Sequence, residues 1–339
     1  MADSWGNQWV FRPASFDDID LAVDMFNARS RAFYGENQST ADEMLGWWRS
    51  PRFELERDAR VVLDGDGRMI GWVHVGNPGE PYVSIGCGAI VHPDVAGNEA
   101  LWDRLYAWAL EHARRLVPLA PAGTRVAASE GAMDIDEARR TAAERAGFER
   151  VRVENHMRID LDVEIPSPMW PDGISVRTAA IDRDLPEMVV ASREAFRDHW
   201  GFVDEPFEQA LDGWRSWVSS LGDALDPTLW FVAHEGTEIA GLGLFSTRIA
   251  DDASRSYVES LSVRPPYRKR GIALALLRHG FGELSRRGYA AVELDMDSEN
   301  LTGALRLYER AGMRVVRRTL QYERVLRDGD DLATRALGG

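Results

Sequence analysis

Tyr257–Leu284, YVESLSVRPPYRKRGIALALLRHGFGEL, is the stretch from which the rest of the chain is read. Its β-rich opening, Tyr257 to Val263, predicts a strand, and Arg264 to Arg270 a loop. From about Gly271 the apolar residues Ile272, Leu274, Ala275, Leu277, Gly280 and Phe281 fall near helical spacing. A strand that runs through a basic, glycine-bearing loop into a helix is a way of holding phosphate. The N–H groups of a first helical turn have no partner within the helix, and the helix dipole favours an anion beside them. Gly271 admits the backbone close to a ligand, Ala273 keeps the helix near it, and Arg268, Lys269 and Arg270 bring cations. A basic loop before a helix is also a common solvated surface, so the string needs support from its surroundings.

The composition narrows the partners. With 40 Lys plus Arg against 55 Asp plus Glu, the net charge of −15 argues against nucleic acid and suits cationic small molecules. One Cys excludes a disulfide framework and any Cys-based zinc site, and the seven His show no paired metal spacing. No metal is expected. Cys87, in the apolar stretch SIGCGAIV, reads as a small buried residue. The first ten residues lack the basic start and apolar core of a signal peptide, and no apolar run is long enough to span a bilayer. The expectation is a cytoplasmic protein with no membrane partner, a monomer or homodimer. Lys269 is the only lysine in the chain.

A length of 339 residues suggests two domains, and the chain reads as two copies of one module. WVFRPASFDDIDLAVDMF from Trp9 and ISVRTAAIDRDLPEMVVASREAF from Ile174 share an extended run followed by a helix with acidic residues near its start. Tryptophan-bearing helices follow at Trp47 and Trp48, and at Trp214 and Trp217. Hairpins come next, turning at Asp-Gly in one half and at Glu235-Gly236 in the other. A strand then ends at Val91 or Val263, and a long helix follows each. Both halves close with a helix ending in Ala-Gly, Ala146-Gly147 and Ala311-Gly312, and a final β-rich segment. The expected boundaries are residues 7–160 and 174–327, with a linker at 161–173 containing Pro166, Pro168 and Pro171, and a loose tail at 328–339. Each copy should be an α/β (α+β) layer structure, a mixed sheet flanked by helices.

Val263-Arg264-Pro265-Pro266-Tyr267-Arg268-Lys269-Arg270-Gly271-Ile272-Ala273 resembles the signature of the GNAT superfamily of acetyl-CoA-dependent acetyltransferases. LDMDSENLTGALRLYERAGMRVV resembles that family's second block at Asn300, Leu307, Tyr308, Glu309, Gly312 and Met313. The two blocks stand in the family's order and distance, and the repeat extends the resemblance over most of the chain as a tandem-domain type. The resemblance implies two mostly antiparallel modules and acetyl-CoA as co-substrate. It also implies a β-bulge that splays the strand ending at Val263 from the next, Ala290 to Asp297. The cofactor's pantetheine arm would pair with backbone groups there, those of Leu261 and Val263, with Ser262 between them. The loop from Arg268 to Ala273, including Ile272, would hold its pyrophosphate, and one splayed N–H would polarise the thioester carbonyl.

Acetylation needs a neutral amine, so a carboxylate or a water chain must take the ammonium proton. Glu259 lies four residues before Val263, on the same face by two-residue alternation, and family members often place a catalytic Glu on this strand. It is the first candidate for the base, with Asp295 and Asp297 as alternatives that would instead orient substrate or sit at the strand end. Tyr308 matches the family's general acid, which protonates the departing sulfur. Asn300 resembles the Asn that binds the cofactor arm and equally suits a helix N-cap. His199 and Trp200 fall in the region that covers the acceptor in this family, or pack locally.

The first copy lacks these features. Setting Val91 on Val263 puts Ala96 at Arg268, Glu99 at Gly271 and Leu101 at Ala273. A carboxylate ~4 Å from a phosphate charge, at an effective dielectric of 20, costs on the order of 4 kcal/mol. Setting Gly147 on Gly312 puts Ala143 at Tyr308 and Ile135 at Asn300. The expectation is therefore an N-acetyltransferase of a small-molecule amine, with a degenerate first copy and a catalytic second one. The alternatives are acetylation of protein N-termini or lysines, and a non-catalytic acetyl-CoA-binding regulator.

Overall fold

The computed structural model describes residues 9–50, 52–77, 79–247, 252–298, 303–332 and 334. The chain forms two compact units. One runs up to Val153 and adds Arg318–Leu332; the other is Glu154–Arg317.

In chain order the first elements are β1 (Val10–Pro13), α1 (Ile19–Tyr34), α2 (Ala41–Trp48), the single turn α3 (Leu55–Asp58), β2 (Ala59–Leu63), β3 (Met69–Val75), β4 (Ser84–Val91), α4 (Glu99–Leu116), β5 (Val126–Met133), α5 (Glu137–Arg145) and β6 (Glu149–Asp160). Without a counterpart of α3, the order then repeats as β7 (Ile174–Thr178), α6 (Ile181–Phe196), α7 (Phe207–Ser220), β8 (Leu225–Glu235), β9 (Glu238–Ser246), β10 (Arg255–Val263), α8 (Ile272–Arg286), β11 (Ala291–Asp297), α9 (Ala304–Arg310) and β12 (Arg314–Arg327). Residues 161–173 carry no helix or strand, as three prolines require.

Both sheets follow one plan. In the first unit β1, β2, β3 and β4 pair antiparallel in sequence, and β4 then pairs parallel with β5. In the second, β7, β8, β9 and β10 are antiparallel neighbours, and β10 pairs parallel with β11. The sixth strand of each comes from the far end of the other copy's sequence. Thr319–Arg327 of β12 pairs antiparallel with β5, and Glu154–Asp160 of β6 pairs antiparallel with β11. The compact units therefore divide within β6 and β12, whereas the sequence places the boundaries at 160 and 174.

Local devices repeat as well. A strand arginine clasps a carboxylate at the start of the first helix in each copy: Arg12 to Asp18 (2.6 and 2.8 Å), and Arg177 to Asp184. The same carboxylates accept from the backbone N–H of Ser15 and Ala180, both at 2.8 Å, which anchors the entry to α1 and α6. A helix tryptophan stacks on a strand tryptophan in each, Trp48 on Trp72 and Trp217 on Trp230. Helices cover both faces of the second sheet. Ile272, Leu276 and Phe281 of α8 pack with Val258, Val292 and Leu294 on one face, and Met188 of α6 packs with Trp230 and Leu242 on the other.

Candidate active site

The loop between β10 and α8 is shaped by two residues in the left-handed region. Lys269 has φ 62° and Gly271 φ 92°, with a short 3-10 turn at Pro265–Tyr267 before them. Gly271 is the N-cap of α8, makes no side-chain cap, and a Cβ built on it would meet nothing within 4 Å. The first N–H groups of a fifteen-residue helix thus emerge at a turn with space over it. The corresponding helix of the first unit is closed. Asn98 caps α4, its side chain accepting from Leu101 N at 3.0 Å, and Glu99 stands in the first turn. Trp102 Nε1 also donates to Ala96 O at 2.8 Å, drawing the loop onto the helix.

The three cations of the loop have different settings. Arg268 forms an ion pair with Asp198 and donates to Ala195 O (2.7 Å) and to Val263 O (3.3 Å), so it ties the loop to the end of α6. Arg270 pairs with Glu235 at 2.7 Å and lies over the Tyr267 ring. Lys269 is exposed, and no ion pair of it is found among the described residues. Sequence reasoning aimed all three at a pyrophosphate; the structure commits both guanidinium groups to carboxylates. The Ile272 side chain is buried in the core, so only its N–H is on offer to a ligand, whereas Ala273 is half-exposed.

β10 and β11 form a fork. They pair only over Arg255–Tyr257 with Ala291–Glu293, and beyond Tyr257 they separate. On its other side β10 stays paired with β9 as far as Val263, with a register shift between Val258 and Ser260 that leaves Glu259 as the extra, bulged residue. Arg264 N donates to Ala240 O, so alternation turns the groups of Ser262 and Ser260 to β9 and those of Leu261 and Val263 to the open side of the fork. The bulge also changes the reading of Glu259. Val258, Leu261 and Val263 all pack in the α8 core, and an odd separation between Val258 and Leu261 is incompatible with unbroken alternation. The face of Glu259 therefore does not follow from counting back from Val263. Glu259 is half-buried, and burial raises its carboxyl above the usual range against a hydrogen bond from Ser246.

Tyr308 lies on α9, half-buried against the α8 core, where burial pushes its phenol up to about 12. Gly312, at φ 100°, ends that helix. Asn300 lies outside the described residues. His199 follows α6, stacks edge-on to Phe196 at 4.7 Å, and is held below its ordinary value by burial. It feels the charges of Asp198, Arg268 and Asp297. Trp200 is half-buried beside it in the chain.

One network escaped the sequence, which had named only its Asp295. On the face opposite α8, Tyr257 donates to Asp295 at 2.7 Å and accepts from Asp295 N at 3.1 Å. His156 Nδ1 lies 2.8 Å from Asp295, and its Nε2 lies 2.7 Å from the buried Glu293. Burial works against both charges, but His156, joined by Arg255 and Arg317 at Glu293 and by Tyr257 and Arg317 at Asp295, outweighs it and holds the two carboxyls below their ordinary range. The available signal was alternation in two segments, HMRID and ELDMD, whose charges share a face only once the β6–β11 register is known. Among the described residues, no group of three or more metal-ligating side chains is arranged to hold an ion, and no helix is long and apolar enough to cross a membrane. Cys87 is buried in the first unit, and burial raises its thiol.

Comparison with known proteins places this geometry in context. Residues 188–313, all within the second unit, match the model of the acetyltransferase (GNAT) family. The chain is 28% identical over 260 residues to a mycothiol acetyltransferase of Thermobispora bispora, spanning 74% of this chain and 78% of the relative. A crystal structure of a GCN5-related N-acetyltransferase from Sphaerobacter thermophilus superposes with a TM-score of 0.82 at 32% identity, covering 95% of this chain and 97% of that one. A tandem GNAT protein from the clavulanic acid biosynthesis pathway shares the fold, with a TM-score of 0.71 at 16% identity and coverage of 95% and 100%.

Proposed function

The chain belongs to the GCN5-related N-acetyltransferase (GNAT) family, and from that premise we propose that its Glu154–Arg317 unit moves the acetyl group of acetyl-CoA to the amine of a small molecule, while the other unit does not catalyse. The observation that carries this division is the contrast between the helix starts. Gly271 leaves α8 uncapped under open space, whereas Asn98 and Glu99 cap and charge the start of α4. The residues present suit acetyl-CoA: α8's first turn and Lys269 would hold its phosphates, and the free edge of Leu261 and Val263 its arm. When bound, it supplies an activated acyl group on sulfur.

The chain's own residues then divide the proton work. Glu259, half-buried and raised, takes the proton of the incoming ammonium more readily than an ordinary carboxylate. Tyr308 stays protonated throughout the physiological range. With its phenol at about 12 against ~8.5 for a thiol, outright transfer to a free thiolate is uphill by about 5 kcal/mol. Tyr308 therefore serves as a hydrogen-bond donor to the charge that develops on sulfur. Asn300 is a further candidate for the cofactor arm, and His199 and Trp200 for the acceptor. The length, the tandem plan and the mycothiol acetyltransferase relatives put the amine-bearing precursor of mycothiol first among acceptors, followed by amino-sugars and polyamines.

The test is thiol release from acetyl-CoA against a panel of these amines, with binding stoichiometry measured in parallel. Turnover with one acetyl-CoA per chain is expected. Binding without release on any amine would favour a regulatory protein, and two equivalent sites per chain would overturn the assignment of a single working unit.

A further inference from the structure

We propose that Asp295 is the specificity-determining residue for the acceptor, receiving a hydrogen-bond-donating group of that molecule other than the amine that reacts, with His156 as its positioning residue. The inference rests on the acetyl-transfer reading above, and it extends that reading from the reacting amine to the rest of the acceptor.

Two carboxylates stand at the fork, one on each strand. Tyr257 and Glu293 face each other across the last paired position of β10 and β11. Two residues onward on β11 comes Asp295, and two onward on β10 comes the bulged Glu259. The Tyr257 phenol bonds to Asp295, and burial together with the charges of Asp295 and Glu259 raises it.

Asp295 is held from within. One oxygen takes the His156 Nδ1 proton at 2.8 Å, the other the Tyr257 hydroxyl at 2.7 Å, and 41% of the side chain nonetheless remains exposed. His156 has a carboxylate within 2.8 Å of each ring nitrogen, and the two together favour the charged ring. Burial opposes that charge and so does Arg317, whose Nη2 lies 2.8 Å from Nε2, but the two carboxylates outweigh them and the ring is raised. Glu293 is steadied in turn by Arg255 at 3.1 Å, with Arg158 and Arg317 each at 3.6 Å. Each carboxylate oxygen spends one acceptor direction on this inner network and keeps another.

The two carboxylates are suited to different work because their environments push them apart. A carboxylate held below its ordinary range is the weaker base and leaves a bound ammonium its proton, and an ammonium has no lone pair with which to attack. Asp295 is thus unsuited to the reacting nitrogen, which belongs to Glu259. Moreover, the Tyr257 proton is already committed to Asp295, and the Tyr257 oxygen accepts from Asp295 N. What Asp295 presents outward is acceptor-only, so the matching part of the acceptor donates: a second ammonium, or the hydroxyls of an amino-sugar.

The test is calorimetric binding to the full chain saturated with CoA, using paired probes: 1,4-diaminobutane against 1-aminobutane, and glucosamine against cyclohexylamine. At least one donor-bearing probe should bind tenfold or more tightly than its plain partner. The pair that shows the gap distinguishes a second ammonium from hydroxyls. Asp295→Asn should close the gap to within threefold, and His156→Gln should narrow it, both with CoA affinity unchanged. That combination separates acceptor recognition from a loss of fold. No gap in either pair, or a gap that survives in Asp295→Asn and His156→Gln, overturns the proposal. Thiol release is read separately, so acetyl transfer with no discrimination between probes defeats this inference alone, and discrimination without acetyl transfer defeats the catalytic reading alone.

Discussion

Replacing Gly271 by Glu tests the phosphate cradle directly, because the site separates charge from strain. At φ 92° any residue with a Cβ is strained, at about 1–2 kcal/mol. The Cβ itself meets no atom within 4 Å, so neither Ala nor Glu clashes with the protein. Gly271→Ala therefore measures the backbone cost alone, and Gly271→Glu adds a carboxylate at the mouth of the helix. Roughly 5 Å from a phosphate charge, at an effective dielectric near 20, that carboxylate costs about 3 kcal/mol, and screening at an exposed turn takes it to about 1.5–3. The expected result is acetyl-CoA binding about 10- to 150-fold weaker in Gly271→Glu than in Gly271→Ala, by calorimetry, with the two variants melting together. Raising the salt concentration should shrink the difference. Glu99→Gln, at the capped helix of the first unit, should leave binding unchanged. A Gly271→Glu variant that binds within threefold of Gly271→Ala would refute the cradle. Equal losses at Gly271 and Glu99 would show that the working unit had been misassigned.

The other expectations concern the proton path and the core. Tyr308→Phe removes only the hydroxyl from a packed ring, so kcat should fall at least about tenfold while acetyl-CoA affinity holds; steady-state kinetics with unchanged kcat would remove Tyr308 from the reaction. Glu259 works as a base only when ionised and its carboxyl is raised, so kcat/KM should fall as pH drops through a value above the usual ~4.3 for Glu; a pH profile with that limb at or below the ordinary value, or unchanged in Glu259→Gln, would exclude it. A Cβ on Gly280 would stand 2.2 Å from the Phe245 ring, so Gly280→Ala should lower stability by about 1–3 kcal/mol in chemical denaturation; a neutral effect would mean that Phe245 moves freely in the core.

What could be read along the chain was what short segments decide for themselves. The strand, turn and helix around Gly271 depend on residues within a few positions of one another, and so do the acidic helix starts and the Ala-Gly helix ends. The doubling of the module followed from comparing such segments. Glu99 at the start of the first copy's helix was legible too, although Asn98's role as the cap required the geometry. The fork of β10 and β11 entered only through family resemblance, and the structure adds the position of the bulge, at Glu259, which removes the alternation argument used to orient that residue.

Tertiary structure decided everything that depends on which strands become neighbours. A sheet's sixth strand is chosen by edge complementarity between distant segments, and β6 and β12 each serve the sheet built mainly from the other copy, which no local pattern encodes. His156 and Asp295 are 139 residues apart and meet because the β6–β11 register sets them opposite each other. Arg268 and Arg270 read as free cations in the sequence, yet Asp198 and Glu235 reach them only through the folded chain. Local backbone preference is carried by the residues that express it. Pairing register and charge partnership are properties of the assembled sheet, and at this site they give Glu259 and Asp295 different surroundings.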